Sequence, residues 1–147
     1  MGRILALDYG QRRVGVAVSD PLKITAQPYA TWEKKSRDEL VDTINRCITE
    51  LGVELILVGL PLTLRGERGT TAQKVEQFTS YLCEQVQVPV QLWDERLTTV
   101  QAHRVIHSMD RKPSRNKAKI DQMASVLLLQ NYLEYQERQR IQEGDFI

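Results

Sequence analysis

Between residues 36 and 93 the spacing of apolar side chains changes period repeatedly, and this limits the possible folds more than any other feature of the chain. Ser36-Arg37-Asp38-Glu39 reads as a capping box, in which the serine accepts from a backbone N–H and the glutamate reaches back. Leu40, Val41, Ile44, Cys47, Ile48 and Leu51 then recur at helical spacing, and Gly52 stops the helix. Val53-Glu54-Leu55-Ile56-Leu57-Val58 is nearly continuous and apolar, the pattern of a parallel strand covered on both faces. Thr70 and Gln73 form a second capping pattern, and Val75, Phe78, Leu82 and Val86 make the buried stripe of the next helix. Pro89-Val90-Gln91-Leu92-Trp93 is a further strand. Strands alternating with helices predict an α/β sheet with helices on its faces, and sites in such sheets form at the carboxyl ends of the strands.

The residues on either side extend this plan. Strands are expected at about Arg3 to Asp8 and Arg13 to Ser19, joined by a turn that contains Gly10. A third extended piece near Thr25 to Thr31 contains Pro28, which suits an edge. Thr98 and Gln101 cap a helix that runs to about His107, a basic loop spans Asp110 to about Ser114, and a last helix runs from about Arg115 to Gln139. The expected order is β-β-β-α-β-α-β-α-α, one domain over residues 1–147, with a polar tail that frays from about 140.

Composition excludes several classes. The chain has 147 residues, enough for one core without staples, and no apolar run approaches membrane-spanning length. Its formal net charge of +1 gives no global basic field, so any attraction for nucleic acid must be local. Cys47 and Cys83 both fall on apolar helix faces and read as reduced core residues of a cytoplasmic protein.

An acid closes the first strand. Asp8 ends Ile4-Leu5-Ala6-Leu7, and Asp94 and Glu95 follow the strand that ends at Trp93. Asp121 shares a helix face with Ala124, Ser125, Leu128 and Tyr132, a face small and apolar enough to pack on a sheet. Taken singly, each acid has a plainer reading: a turn residue before Gly10, acids near a helix N-terminus, a solvated helix border. Taken together, burying like charges is unfavourable unless a cation compensates, and a hard divalent ion does so. Such ions activate water and stabilise a leaving oxygen in phosphodiester cleavage.

Asp8-Tyr9-Gly10 with Arg13-Val14-Gly15-Val16-Ala17-Val18-Ser19-Asp20 resembles the first motif of the YqgF-type family. Val58-Gly59-Leu60-Pro61 with Gly66 is similar to its second motif, and Asp94-Glu95-Arg96-Leu97-Thr98-Thr99 to its third. Lys119-Ile120-Asp121 with Ala124 and Leu127-Leu128-Leu129-Gln130 is similar to its last. Members are described as Holliday junction resolvases and as nucleases that trim the precursor of 16S ribosomal RNA. The resemblance implies an RNase H-like fold with a mixed five-stranded sheet. It also implies a catalytic, metal-binding set of Asp8, Glu95 and Asp121, with Asp94 as a fourth candidate and Mg²⁺ or Mn²⁺ as the cofactor. Some relatives in the wider resolvase group carry a glutamate on the central strand; here that strand ends Val58-Gly59-Leu60-Pro61 without one.

Candidates for holding nucleic acid are Tyr9, Arg12, Arg65, Arg68, Arg96, Arg111, Lys112, Arg115, Lys117 and Lys119. A basic segment beside an acidic site positions phosphate, although a solvated charge run is the ordinary fate of such residues. Tyr9 is the candidate for stacking a base, whereas Trp93 reads as core. His103 and His107 stand at helical spacing, but no third zinc ligand accompanies them.

The expected activity is hydrolysis of phosphodiesters, with precursor 16S RNA favoured over a DNA junction as substrate and pre-ribosomal particles as partners. A junction resolvase calls for a symmetric dimer, since two opposed strands are cut; an RNA trimmer works as a monomer. A non-catalytic binding module is the rival reading. An actin-like phosphotransferase needs two such domains, which 147 residues do not build.

Overall fold

The computed structural model describes residues 2–61, 69–95 and 117–143, with the backbone alone at 117–121. Five strands and three helices are present among them. They are β1 (Arg3–Tyr9), β2 (Arg13–Ser19), β3 (Ala26–Glu33), α1 (Arg37–Leu51), β4 (Val53–Leu60), α2 (Thr70–Gln85), β5 (Val90–Asp94) and α3 (Lys117–Gln142). The sheet order is β3-β2-β1-β4-β5. β1 is antiparallel to β2, β2 to β3, whereas β4 runs parallel to both β1 and β5. This is the mixed five-stranded sheet anticipated from the sequence. The helix expected between about 98 and 107 lies outside the described residues, as do His103 and His107.

Strand alternation divides the core into two layers. Leu5, Leu7, Val14, Val16, Ile56 and Val58 face α1 and α2, which supply Leu40, Ile44, Val75, Phe78 and Leu82. Ile4, Ala6, Ala17, Leu57 and Trp93 face α3, which supplies Leu128, Leu129, Tyr132 and Leu133. The alanines at 6 and 17 bring α3 close to the sheet.

The element ends have local causes. Ser36 Oγ accepts from the Glu39 N–H at 3.1 Å, and Gly52 closes α1 with φ of 67° and its N–H on the Ile48 carbonyl. The cap expected at Thr70 is not formed: Gly69 is the N-cap, without a side-chain bond, and Thr70 is already helical. β3 reaches Glu33 despite Pro28, which lies in register with Ala17 on this edge strand, where a missing N–H is tolerated; a register shift between Val16 and Ala17 leaves the neighbouring Tyr29 without a partner in register. α3 continues past 139 to Gln142, since no helix breaker intervenes and Arg140 both pairs with Glu137 and complements the helix dipole. Cys47 is buried as expected. Cys83 is exposed, one position around the helix from the buried Leu82, and both thiols are free.

Candidate active site

The carboxyl ends of β1, β4 and β5 meet at one edge of the sheet. The register places Leu7 beside Val58, Gly59 beside Trp93, and Asp8 beside Gly15, which in turn pairs with Thr31. Asp8 is two residues beyond Ala6, so alternation turns it to the α3 face. Glu95 stands two beyond Trp93 and faces the same way. Glu95 is hydrogen-bonded to Asp8 and partly buried. Three influences hold its carboxyl up to about 8: first its removal from water, then the charge and hydrogen bond of Asp8, then the charge of Asp94. Burial and the neighbouring carboxylates thus favour a proton on this pair.

α3 brings its own stripe to the same edge. Leu128 lies against Gly59, at the carboxyl end of β4, while Tyr132 and Leu133 border a groove with Ile4 and Leu55, near the amino ends of β1 and β4. The helix thus runs opposite to these two strands, and its N-terminal half extends toward Asp8 and Glu95. Ser125, Leu128 and Tyr132 are buried, as the shared face required. Asp121 stands seven residues before Leu128 on that stripe, about 10 Å along the axis. Its side chain lies outside the described residues.

The other candidates separate. Asp94 pairs with Leu60, which packs on the opposite layer, so alternation turns Asp94 away from Glu95. Tyr9 is stacked on Phe78 at 4.2 Å between ring centroids, and Lys34 Nζ stands 3.8 Å from its ring centre. Two groups at those distances occupy both ring faces, which leaves none for a base while Lys34 holds this position. Lys34 also donates to the Gly10 carbonyl at 3.0 Å, and its backbone N–H to that of Arg12 at 2.9 Å. Lys34 was not among the sequence candidates; the signal for it is the Arg13–Glu33 pairing, which sets residue 34 beside the β1–β2 turn. Arg12 is exposed on that turn. Arg65, Arg68, Arg96, Arg111, Lys112 and Arg115 lie outside the described residues, as do the side chains of Lys117 and Lys119.

Trp93, two residues before Glu95, is core. Tyr132 and Tyr135 meet its ring edge-on at 5.0 and 5.1 Å, and its indole N–H is buried without a partner among the described residues.

The model of one family, described as "RuvX: Holliday junction resolvase", matches residues 2–135. The chain belongs to this family. A relative from Chloroflexus aurantiacus named "Putative pre-16S rRNA nuclease" is 44% identical over 131 residues, 89% of this chain and 86% of the relative. One of the same name from Clostridium novyi (strain NT) is 42% identical over 132 residues, 90% and 98% of the two chains. Among solved structures, T. thermophilus RuvC in complex with Holliday junction substrate superposes with a TM-score of 0.59 at 12% identity, covering 94% of this chain and 96% of that one. The yeast mitochondrial Holliday junction resolvase gives 0.54 at 11% identity, covering 93% and 80%. These likenesses establish the RNase H-like resolvase fold for this RuvX-family chain.

Proposed function

We propose that this RuvX-family chain is a metal-dependent endonuclease that trims the precursor of 16S ribosomal RNA in the cytoplasm, with Asp8, Glu95 and Asp121 as its metal-binding catalytic set. The observation that carries this reading is the Asp8–Glu95 pair at the carboxyl edge of the sheet. Two carboxylates pressed together and withdrawn from water form a donor set that suits a hard divalent ion. Mg²⁺ or Mn²⁺ bound there supplies stabilisation of phosphate charge and activation of water. Asp8 on β1 and Glu95 directly after β5 meet on one face, which supports the reading, and the course of α3 toward that edge supports Asp121 as the third member. A cation bound by these residues would displace the proton that the Asp8–Glu95 pair favours in its absence. Asp94, turned to the opposite layer, is left out of the ligand set.

Substrate is held by phosphate contacts from Arg12 on the β1–β2 turn, together with Arg65, Arg68, Arg96, Arg111, Lys112, Arg115, Lys117 and Lys119. RNA is favoured over a DNA junction because relatives above 40% identity, matched along most of both chains, carry the precursor-RNA name. The resolvase structures share about a tenth of the sequence and speak for the fold alone. Trimming one RNA strand in a pre-ribosomal particle needs only a monomer.

A cleavage panel tests the proposal. Wild type and Asp8→Asn meet a precursor 16S RNA end, an unrelated single-stranded RNA and a four-way DNA junction, each with Mg²⁺, Mn²⁺ or EDTA. Metal-dependent cutting of the precursor, lost in Asp8→Asn, is the expected result. Cutting of the junction alone selects the resolvase. Binding without cutting selects a non-catalytic module.

A further inference from the structure

Gly59 occupies a confined position. A β-carbon on it would stand 2.6 Å from Oε1 of Glu95, 3.2 Å from that residue's Cδ and 3.1 Å from Cδ2 of Leu128. The first distance is well inside contact, so with any other residue at 59 the carboxylate would have to move. Nothing in the backbone asks for glycine here: Gly59 is regular strand, paired with Trp93 across the β4–β5 ladder. Glycine in a strand interior weakens the strand and leaves no side chain to pack. Its neighbours in β4, Leu57 and Val58, are fully buried apolar residues. The missing side chain is therefore explained by what fills its place, the head of Glu95.

We propose that Gly59 is a positioning residue for the metal site: by presenting no side chain, it forms the recess that seats the Glu95 carboxylate against Asp8, and so sets the affinity for a divalent cation. This inference rests on the metal-site reading above. β4 thus contributes to the site by omission. It carries no acid at its end, and the acid of the next strand leans into the space left on it. Leu128 borders the same recess, so a side chain at 59 has two ways to act, through Glu95 or through the seating of α3. The two are separable.

The test is Mn²⁺ titration calorimetry on the full chain, joined to thermal melting of the metal-free protein. Gly59→Ala is expected to weaken Mn²⁺ binding by about tenfold or more, the usual effect of disturbing the groups that orient a metal ligand. In a Glu95→Asp background, where the head is drawn back by one methylene, the same substitution should change affinity by no more than about twofold. In a Leu128→Val background, which relieves only the helix contact, the full loss should remain. Melting supplies a metal-free readout: Gly59→Ala should lower Tm in wild type and lower it much less with Glu95→Ala, a pairing that also recovers the fold if Gly59→Ala alone fails to fold. Unchanged affinity in Gly59→Ala, an equal loss in the Glu95→Asp background, or an equal Tm cost with Glu95→Ala would overturn the inference. Absence of Mn²⁺ binding by wild type would refute the metal-site reading itself and this inference with it.

Discussion

The β1–β2 hairpin carries an aspartate at each end, and the two acids are handled in opposite ways. Asp20, directly after β2, is met by its own loop. It accepts from the backbone N–H groups of Leu22, Ile24 and Thr25 at 3.2, 2.7 and 2.8 Å, and from the Thr25 hydroxyl at 3.3 Å. The Thr25 N–H above all holds its carboxyl below the ordinary value of 3.8. Ser19 extends the same arrangement, accepting from the Ile4 N–H at 2.8 Å and donating to the Asp20 carbonyl. At the far end Asp8 is pressed against a second acid, and burial together with that charge pushes Glu95 up to about 8. An acid supplied with donors by its own loop is part of the fold. A pair of acids pressed together and withdrawn from water is, on the function proposed above, a place for positive charge from outside.

The comparison is broken most directly at the acids themselves. Asp8→Asn should lower cleavage of the precursor RNA by on the order of a hundredfold or more, the scale for losing one group that stabilises transition-state charge. Melting should show an intact fold. Asp20→Ala should do the reverse: a lower Tm because the turn loses its organiser, with Mn²⁺ affinity within about twofold of wild type. An Asp20 variant that melts normally and cannot bind Mn²⁺ would exchange the roles assigned to the two ends.

The two ends also titrate with opposite sign. Glu95 is raised in the folded state, so between its ordinary value of 4.5 and about 8 the folded protein holds a proton that the unfolded chain has released. Metal-free stability should therefore fall as pH rises through that window, and Glu95→Gln should flatten the trend in Tm. Asp20 is depressed, so its contribution is present above 3.8 and is lost as pH falls through its lowered value. Asp20→Ala should remove part of the acid limb of the stability profile, and unfolding followed by circular dichroism from pH 2 to 5 reads it. The smallest effect is expected at the Lys23–Glu54 ion pair beside the Asp20 turn. Both side chains are more than a third exposed, so Lys23→Ala should shift Tm little and lose even that shift in high salt.

Much of this molecule is legible in its sequence where a local rule applies without competition. The change of period from 36 to 93 marks two helices and two parallel strands; the predicted Leu40, Val41, Ile44, Cys47, Val75, Phe78, Leu82 and Val86 are buried, Ile48 and Leu51 only partly so, and α2 buries Ala72 and Thr79 as well. The αL stop at Gly52 and the cap at Ser36 follow from residue chemistry. Rules failed where neighbours decided. Thr70 has the residue type of a cap, yet the chain enters α2 one residue earlier, at Gly69. Cys83 follows a buried leucine but lies outside the narrow stripe that α2 buries. Asp8 and Glu95 were identifiable as candidates, but their contact depends on β4 lying between β1 and β5, with its glycine level with the acids. No local pattern encodes that order. The same holds for Tyr9, whose ring is claimed by Phe78 and Lys34 from distant parts of the chain.

The most direct test of the central claim is a proton count. Mn²⁺ is titrated into wild type near pH 7 in buffers of different ionisation enthalpy, and the heats yield the protons released per ion bound. If the Asp8–Glu95 pair is the metal site, binding should release about one proton, supplied by Glu95, and Glu95→Gln should release none while binding more weakly. Binding without proton release, or equal binding by Glu95→Gln, would contradict the account.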